Sequence, residues 1–215
     1  MTVLPKTLLW DRLDTTGAEH VLLDDRGGLY ARGTMLANDP VPHTARYSLQ
    51  VDQAWASVRL EVTTEGAGWL RSVRLERAAG EWHVSAGEQG DLDAALIAAG
   101  RARSELPGCE EPERLVEALD VDLGDCPLTN TLPIRRLGLL GEAPGTSRTI
   151  TAAWVLVPSL AVIPSPQTYT VLDERHHRYA SGTFAADLTV DENGYVLHYP
   201  GLATATSVRS ATPRR

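Results

Sequence analysis

The sequence predicts an all-β fold, mainly antiparallel, built as a single β-roll or partial β-barrel with a helical insertion around residues 91–118. Short segments in which apolar and polar residues alternate recur along both halves of the 215-residue chain, with turn sequences between them. One stretch between the halves instead has the spacing of a helix. We therefore expect one β-roll domain over residues 1–202, followed by a flexible C-terminal tail over residues 203–215.

The first ninety or so residues show the strand pattern most clearly. In one segment, Val58, Leu60 and Val62 alternate with the polar Arg59 and Glu61, which places the apolar side chains on one face of a strand. Strands at this spacing, joined by tight turns, are typical of an antiparallel meander. The strands predicted here are at residues 7–10, 19–23, 29–37, 46–51, 55–62, 69–76 and 81–84.

The pattern then changes to that of a helix. Apolar residues recur at helical spacing from Leu92 to Ala99, directly after Asp91, which is a favourable N-cap residue. We expect this helix to end before Pro107. A second short helix is predicted over residues 112–119, because a proline near its first turn is compatible with a helix start.

Strands are predicted again in the second half of the chain. Residues 158–166 contain three prolines and are expected to form an irregular link. Asn193-Gly194 is a strong signal for the turn of a β-hairpin. The strands expected around these features are at residues 137–140, 149–157, 169–171, 178–181, 183–190 and 195–199.

Residues 120–139 contain, more densely than any other stretch, residue types that are costly to bury or that interrupt regular structure, namely Asp, Arg and Pro. Strand alternation puts the carboxylates of Asp120 and Asp122 on one face. If the chain is extended at Arg135 and Arg136, these two side chains point to opposite faces. The inward arginine is then expected to pair with Asp120 or Asp122, because a buried guanidinium needs an acceptor.

Two prolines determine the predicted backbone within this stretch. Pro127 and Pro133 have no N–H to donate to a sheet. Residues 127–131 are therefore predicted to form an ordered loop, with a strand resuming at Ile134.

Three roles remain open for the two carboxylates. Asp120 and Asp122 would lie ~6.6 Å apart between Cα atoms on a strand, which overlaps the roughly 6.5–9.5 Å separation of inverting glycoside hydrolases. Both point the same way, however, so a structural ion pair or ligand contacts are alternatives to catalysis. Asn130 and Thr131 offer an amide and a hydroxyl, which suit either a sugar or the backbone of a tight loop.

Composition and motifs exclude several classes of function. A formal net charge of −8 argues against a nucleic-acid or anionic-membrane partner. Cys109 and Cys126 lack metal-ligand spacing and are expected to be ordinary reduced thiols. We see no signal peptide, transmembrane segment, nucleophile elbow or nucleotide-binding loop, and we expect a cytoplasmic protein without a cofactor or metal.

The segment TNTLPIRRL, residues 129–137, is the most specific part of a family resemblance that extends over most of the chain. Supporting features are Trp10 with Glu19-His20, the Asp52-Gln53-Ala54-Trp55 turn, and the closing DENGYVLHYPGL. Together they resemble the bacterial putative glycolipid-binding family, formerly a domain of unknown function. The resemblance implies a single all-β roll and a glycolipid ligand. The insertion at residues 91–118, and Asp125-Cys126 where an aromatic and a small residue are expected, depart from the family pattern.

We interpret the chain as a non-catalytic carrier or sensor that holds an amphipathic ligand in an apolar pocket, with a polar mouth near Asp122, Asn130 and Arg135. One alternative is an enzyme that acts on a small glycosylated or phosphorylated substrate through Asp120 or Asp122. Another is a structural or interaction module that uses the helical insertion as its contact surface. No oligomeric state is predicted. Inward aromatic rings on strands can line a cavity or fill a core, so the candidate ligand-binding residues are Trp55, Trp82, Asp120, Asp122, Asn130, Thr131, Arg135, Tyr169, Tyr179 and Tyr199.

Overall fold

A single sheet of fourteen strands dominates the computed structural model, which describes residues 6–206. The strands are β1 (Lys6–Arg12), β2 (Gly17–Asp24), β3 (Leu29–Ala37), β4 (His43–Val51), β5 (Ser57–Gly66), β6 (Trp69–Ala78), β7 (Glu81–Gly90), β8 (Asp120–Leu123), β9 (Ser147–Val155), β10 (Val162–Val171), β11 (His176–Ser181), β12 (Phe184–Val190), β13 (Val196–Tyr199) and β14 (Ala203–Ala205). The helices are α1 (Leu92–Ala98) and α2 (Pro127–Arg136), with 3₁₀ helices at Pro112–Leu115 and Leu139–Gly141.

The sheet joins two meanders through β1 and β14. Strands β1 to β7 pair in sequence, β14 pairs with β1, and the order then runs back from β13 to β8. All neighbours are antiparallel except β8 and β9, which are parallel. The sheet does not close, and β7 and β8 are its two edges. The predicted fold class, a mainly antiparallel β-roll with a helical insertion, is confirmed.

Alternation of side chains accounts for the core of the first meander. In β3, residues 29, 31, 33, 35 and 37 are buried and the residues between them are not. Gly33 is one of the inward residues, and it lies opposite Tyr47 of β4. A Cβ atom at Gly33 would lie 2.2 Å from carbon atoms of the Tyr47 ring. The ring therefore occupies the space that any larger residue at position 33 would need.

Gly33→Ala should destabilise the protein by about 1–3 kcal/mol, because the added methyl group forces the buried Tyr47 ring to move. Urea unfolding followed by circular dichroism measures the change. Gly27→Ala is the matched control, since a Cβ atom there meets nothing within 4 Å, and it should stay within about 0.5 kcal/mol of the wild type. Equal stabilities for the two variants would show that Tyr47 can be displaced at no cost.

The helical insertion runs from one edge of the sheet to the other. It contains α1, whose N-cap Asp91 accepts a hydrogen bond from the Ala94 amide at 2.8 Å, and the 3₁₀ helix Pro112–Leu115. On the β7 side, Trp82 Nε1 donates to the carbonyl oxygen of Ala118 at 2.9 Å. The insertion is thus present, although α1 ends at Ala98 and the second helix is a single 3₁₀ turn.

The prediction for residues 127–137 is wrong, because the chain forms helix α2 there instead of a loop and a strand. Pro127 occupies the first turn, where a missing N–H costs nothing. Pro133 lies inside the helix and leaves the Thr129 carbonyl without its usual donor, a change that normally costs about 3 kcal/mol. Residues 127–134 are all buried, so tertiary packing offsets this cost.

Two further predictions in the second half need correction. Residues 137–140 are not a strand, because Gly138 takes a left-handed conformation with φ 66° and leads into a 3₁₀ turn. Residues 162–166 are not an irregular link, since they form the first half of β10. Pro164 and Pro166 pair with β9 on one side, while pairing with β11 begins only at Thr168. Prolines are tolerated where one side of a strand has no partner.

The predicted tail also begins too early. Ala203–Ala205 form β14, which fills the position between β1 and β13 and so joins the two meanders. Residues 207–215, the rest of the predicted tail, lie outside the described residues. Within residues 6–206, no helix has the length and apolar character needed to cross a membrane.

Candidate functional site

A pocket of about 480 Å³ opens between the start of α2 and the sheet formed by β9 to β13. Its volume lies within the range of pockets that hold small ligands. The residues that line it are Asp122, Leu123, Gly124, Asp125, Cys126, Asn130, Trp154, Ser165, Tyr179, Ser181, Phe184, Tyr199, Pro200, Gly201 and Leu202.

One part of the pocket lining is polar and is centred on Asp122, on β8. The Asp122 carboxylate accepts a hydrogen bond from Thr129 Oγ1 at 3.0 Å and another from Gln167 Nε2 at 2.6 Å. Tyr169 donates its hydroxyl to Gln167 Oε1 at 3.3 Å, and Asn130 Nδ2 donates to the Tyr169 oxygen at 2.9 Å. This chain of donors fixes the carboxylate and the Asn130 amide in the pocket wall.

Burial and hydrogen bonding act in opposite directions on Asp122. Burial raises the pKa of its carboxyl above the ordinary value, and the bonds from Gln167 and Thr129 lower it. The single hydrogen of the Thr129 hydroxyl also lies within reach of the Cys126 carbonyl oxygen, at 2.9 Å, so Gln167 Nε2 is the donor that is committed to the Asp122 carboxylate.

Three aromatic rings form the outer wall of the pocket. The ring centroids of Tyr179, Phe184 and Tyr199 are 6.1–6.4 Å apart in each pairing. Tyr179 and Tyr199 are 8% and 7% exposed, whereas Phe184 is 50% exposed and lies at the mouth. Phe184 therefore lies at the exposed edge of the pocket, and the rings of Tyr179 and Tyr199 continue the aromatic wall from it.

The prolines of β10 explain why the pocket opens at this place in the sheet. Because β10 and β11 pair only from Thr168 onward, the preceding part of β10 is free on that side. Ser165 and Ser181 meet there with their hydroxyl oxygens 3.2 Å apart, and both line the pocket. Ser181 also donates to the Pro166 carbonyl oxygen at 3.0 Å.

Four of the candidate residues predicted from the sequence line this pocket: Asp122, Asn130, Tyr179 and Tyr199. Tyr169 lies behind them, 1% exposed, and reaches the pocket through Asn130. The remaining five candidates do not line it. Of the three residues expected at a polar mouth, Asp122 and Asn130 line the pocket and Arg135 does not.

Asp120 is held in a buried ion pair with Arg136. Arg136 Nη2 and Nε donate to the Asp120 carboxylate at 2.6 Å and 3.0 Å, and the two side chains are 15% and 1% exposed. Asp120 points toward α2 and does not line the pocket. A mechanism that uses Asp120 and Asp122 as two free carboxylates is therefore disfavoured.

The other four candidates contact protein groups outside the pocket. The Arg135 guanidinium lies 4.2 Å from the centroid of the Trp55 ring and donates to the Asn193 carbonyl oxygen at 2.7 Å. Trp82 is buried against the insertion, as described above. Thr131 is fully buried in α2, and its hydroxyl has no hydrogen-bond partner among the described residues. None of these four residues lines the pocket.

A buried carboxylate, that of Glu19, lies behind the pocket and was not among the residues predicted for the site. Glu19 on β2 is fully buried; Tyr47 donates its hydroxyl to Glu19 Oε1 at 2.5 Å, and the Cys126 thiol donates to the same oxygen at 3.1 Å. Burial raises the pKa of Glu19 to about 7, although these two hydrogen bonds and the charge of Arg12 lower it. Strand alternation did carry a signal, because Glu19 shares its face with the buried Val21 and Leu23.

The chemistry available at the pocket is that of hydrogen bonding and apolar contact. Among residues 6–206, no group of three or more His, Cys, Asp or Glu side chains is placed to hold a metal ion. The Cys126 thiol lines the pocket, but burial and the Glu19 charge raise its pKa well above the ordinary value, which makes it a poor nucleophile.

Comparisons with known proteins agree with this architecture. A crystal structure at 1.80 Å resolution of a DUF1089 family protein from Pseudomonas aeruginosa is similar, with a TM-score of 0.64 and 28% sequence identity. The match covers 87% of this chain and 91% of that chain. No curated protein matches. The model of a family described as putative glycolipid-binding matches residues 7–205, which include nearly the whole sheet, and the chain therefore belongs to that family.

Proposed function

We propose that the protein binds an amphipathic ligand of the glycolipid type in the pocket beside α2, and that it acts as a non-catalytic carrier or sensor. The observation that carries this proposal is the division of the pocket lining into a polar part around Asp122 and an aromatic part at Tyr179, Phe184 and Tyr199. A ligand with a hydroxylated head and an apolar tail has the same division. The description of the family supports a glycosyl head group.

The head group of the ligand would lie against the polar part of the pocket lining, around Asp122. Asp122 supplies acceptor oxygens, Asn130 supplies an amide, and Ser165 and Ser181 supply hydroxyls that both donate and accept. Sugar hydroxyls also donate and accept, so they can satisfy these groups together. A fixed network around Asp122 lowers the cost of ordering the site when the ligand binds.

The tail would lie against the aromatic part of the pocket lining. Phe184 is half exposed, and the rings of Tyr179 and Tyr199 continue the apolar surface inward. Covering such surface with hydrocarbon contributes about 25 cal/mol per Å² of apolar area removed from water. A pocket of about 480 Å³ holds a head group and the first part of a chain, so the rest of a long tail would extend past Phe184.

One observation favours a second candidate, an enzyme acting on a glycosylated substrate. Asp122 lines the pocket, and burial raises the pKa of its carboxyl, as occurs in catalytic acids and bases. Asp120, the second carboxylate considered for catalysis, forms an ion pair with Arg136. Asp122 would therefore have to act as the single acid or base. The carrier proposal needs no such additional group and is preferred.

The proposal is tested by native mass spectrometry of the purified protein, followed by solvent extraction and identification of bound molecules. A co-purified amphiphile supports it and identifies the ligand class. An empty protein that also shows no thermal shift with a panel of glycolipids and fatty acids would contradict it. Turnover of a glycosylated substrate that is abolished in Asp122→Asn would favour the enzyme instead.

Phe184→Ser should weaken binding of octyl glucoside roughly 10-fold or more, because the side chain of a Phe contributes about 1.5–3 kcal/mol when it is fully buried. Isothermal titration below the micelle concentration measures the affinity. Leu36→Ser is the matched control, since Leu36 is 53% exposed on β3 and does not line the pocket. Unchanged affinity in Phe184→Ser, or an equal loss in both variants, would show that the tail lies elsewhere.

A further inference from the structure

We propose that the pocket selects its ligand by charge: it accepts neutral or cationic head groups and rejects anionic ones such as phosphate and carboxylate. This inference rests on the proposed function and goes beyond it, because a pocket for amphiphiles has no need to distinguish a sugar from a phosphate. It follows from the charges placed around the pocket and from the partners of each charge.

The charged side chains that line the pocket are both carboxylates. Asp122 and Asp125 both lie in its wall, and no Lys, Arg or His of residues 6–206 lines it. A pocket for a phosphate normally offers Arg or Lys side chains or the N–H groups of a helix end. The start of α2 borders this pocket, but the side chains of Asp125 and Asp122 lie at the same place.

Among residues 6–206, Asp122 has no cationic partner, unlike the carboxylates near it. Asp120 is paired with Arg136 at 2.6 Å. Asp125 lies 3.2 Å from Arg12, which it shares with Asp14 at 2.6 Å. Asp122, in contrast, receives hydrogen bonds from the neutral side chains of Thr129 and Gln167. A head group beside Asp122 therefore meets a carboxylate without a counter-charge.

The aromatic wall offers an anion no compensating charge. Tyr179, Phe184 and Tyr199 pack against one another beside the pocket, and Phe184 is half exposed. An anionic head in place of a sugar would lie next to Asp122, where like charges repel more strongly than in bulk water because the site is partly shielded from it.

Three probes with the same tail test the inference: octyl glucoside, octylamine and octyl phosphate, each titrated calorimetrically into the wild-type protein at pH 7 and below its micelle concentration. We expect octyl glucoside and octylamine to bind at least 10-fold more tightly than octyl phosphate. Adding NaCl should reduce the difference between glucoside and phosphate, because salt screens the repulsion. Asp122→Asn should reduce the same difference about 10-fold, while Asp187→Asn on β12, outside the pocket, should leave it unchanged.

The outcomes separate this inference from the proposed function. If octyl phosphate binds as tightly as octyl glucoside, charge selection is overturned and the amphiphile pocket stands. If none of the three probes binds, the proposed function falls and charge selection falls with it. If selection is present but persists in a folded Asp122→Asn variant, the assignment to Asp122 is overturned. Should Asp122→Asn not fold, the ratio of affinities and its salt dependence in the wild type decide alone.

Discussion

Arg136→Gln should lower the free energy of unfolding by about 3–5 kcal/mol, because it leaves the Asp120 carboxylate buried without a counter-charge. Asp120 is 1% exposed and receives two hydrogen bonds from the guanidinium. Burial raises the pKa of Asp120, and the bond and charge of Arg136 lower it. Once the arginine is removed, only the effect of burial remains, and the carboxylate must either protonate or draw in water.

A double-mutant cycle measures how far the two side chains act as one unit. Asp120→Asn should cost a similar amount, since it leaves a buried guanidinium with a weaker partner. The double variant should be no less stable than the worse single variant, and this non-additivity identifies a directly coupled pair. Urea unfolding of the four proteins at pH 7 gives the coupling free energy.

The chain offers a matched control at its surface. Arg178 and Asp187 form an ion pair of the same bidentate geometry, at 2.7 Å and 2.9 Å, but they are 52% and 46% exposed. Arg178→Gln should cost much less than Arg136→Gln, because water replaces the lost partner. Equal losses in Arg178→Gln and Arg136→Gln would show that burial does not set the strength of the inner pair.

Most of the strands could be predicted because they have one buried face. In β3 and β4 every second residue is buried, and this two-residue period is visible in the sequence. Turn sequences such as Asn193-Gly194 then fix where the chain reverses. The strand pairing between distant segments, for example β1 with β14, has no comparable local signal.

Helix α2 could not be predicted by the same reasoning. Its residues 127–134 are buried on every side, so the helix has no polar face and no helical period in its apolar residues. Its two prolines are ordinarily evidence against a helix interior. The backbone of α2 is determined by packing against the sheet. The order of apolar and polar residues in the sequence carries no information about that packing.

The error in α2 propagated into the candidate site. Unusual residue types drew attention to Asp122 and Asn130, and the structure places both in the lining of the pocket. Which of the two arginines pairs with the buried Asp120 depended on the backbone conformation, however. In the helix, Arg136 reaches Asp120 and Arg135 reaches Trp55. Residues from β10 to β13 that complete the pocket, such as Ser165 and Phe184, carried no sign of their role.

Glu19→Gln should remove a pH dependence that the wild-type protein shows between about pH 4.5 and pH 7. Burial raises the pKa of Glu19 from its ordinary 4.5 to about 7 in the folded protein. Between these values the unfolded chain has released the proton and the folded chain has kept it, so wild-type stability falls as the pH rises. At about 1.4 kcal/mol per pKa unit, the whole fall is about 3 kcal/mol.

The measurement is the free energy of unfolding in urea at several pH values from 4.5 to 8. Other groups titrate as well, so the quantity to follow is the difference between the wild type and Glu19→Gln at each pH. Glu81→Gln, which removes an exposed carboxylate from β7, controls for the change in net charge. A difference that stays constant across this range would mean that Glu19 is not a buried acid with a raised pKa.

Tyr47→Phe separates the contribution of the hydrogen bond from that of burial. The Tyr47 hydroxyl donates to Glu19 and lowers its pKa, so its removal should move the pKa above 7. The fall in stability should then continue to higher pH than in the wild type, while Glu19→Gln in the same background should abolish it.

Because Cys126 lines the pocket and donates to the same carboxylate, the protonation of Glu19 changes the charge directly behind the pocket wall. A ligand that contacts Cys126 should therefore bind with a pH dependence that Glu19→Gln removes.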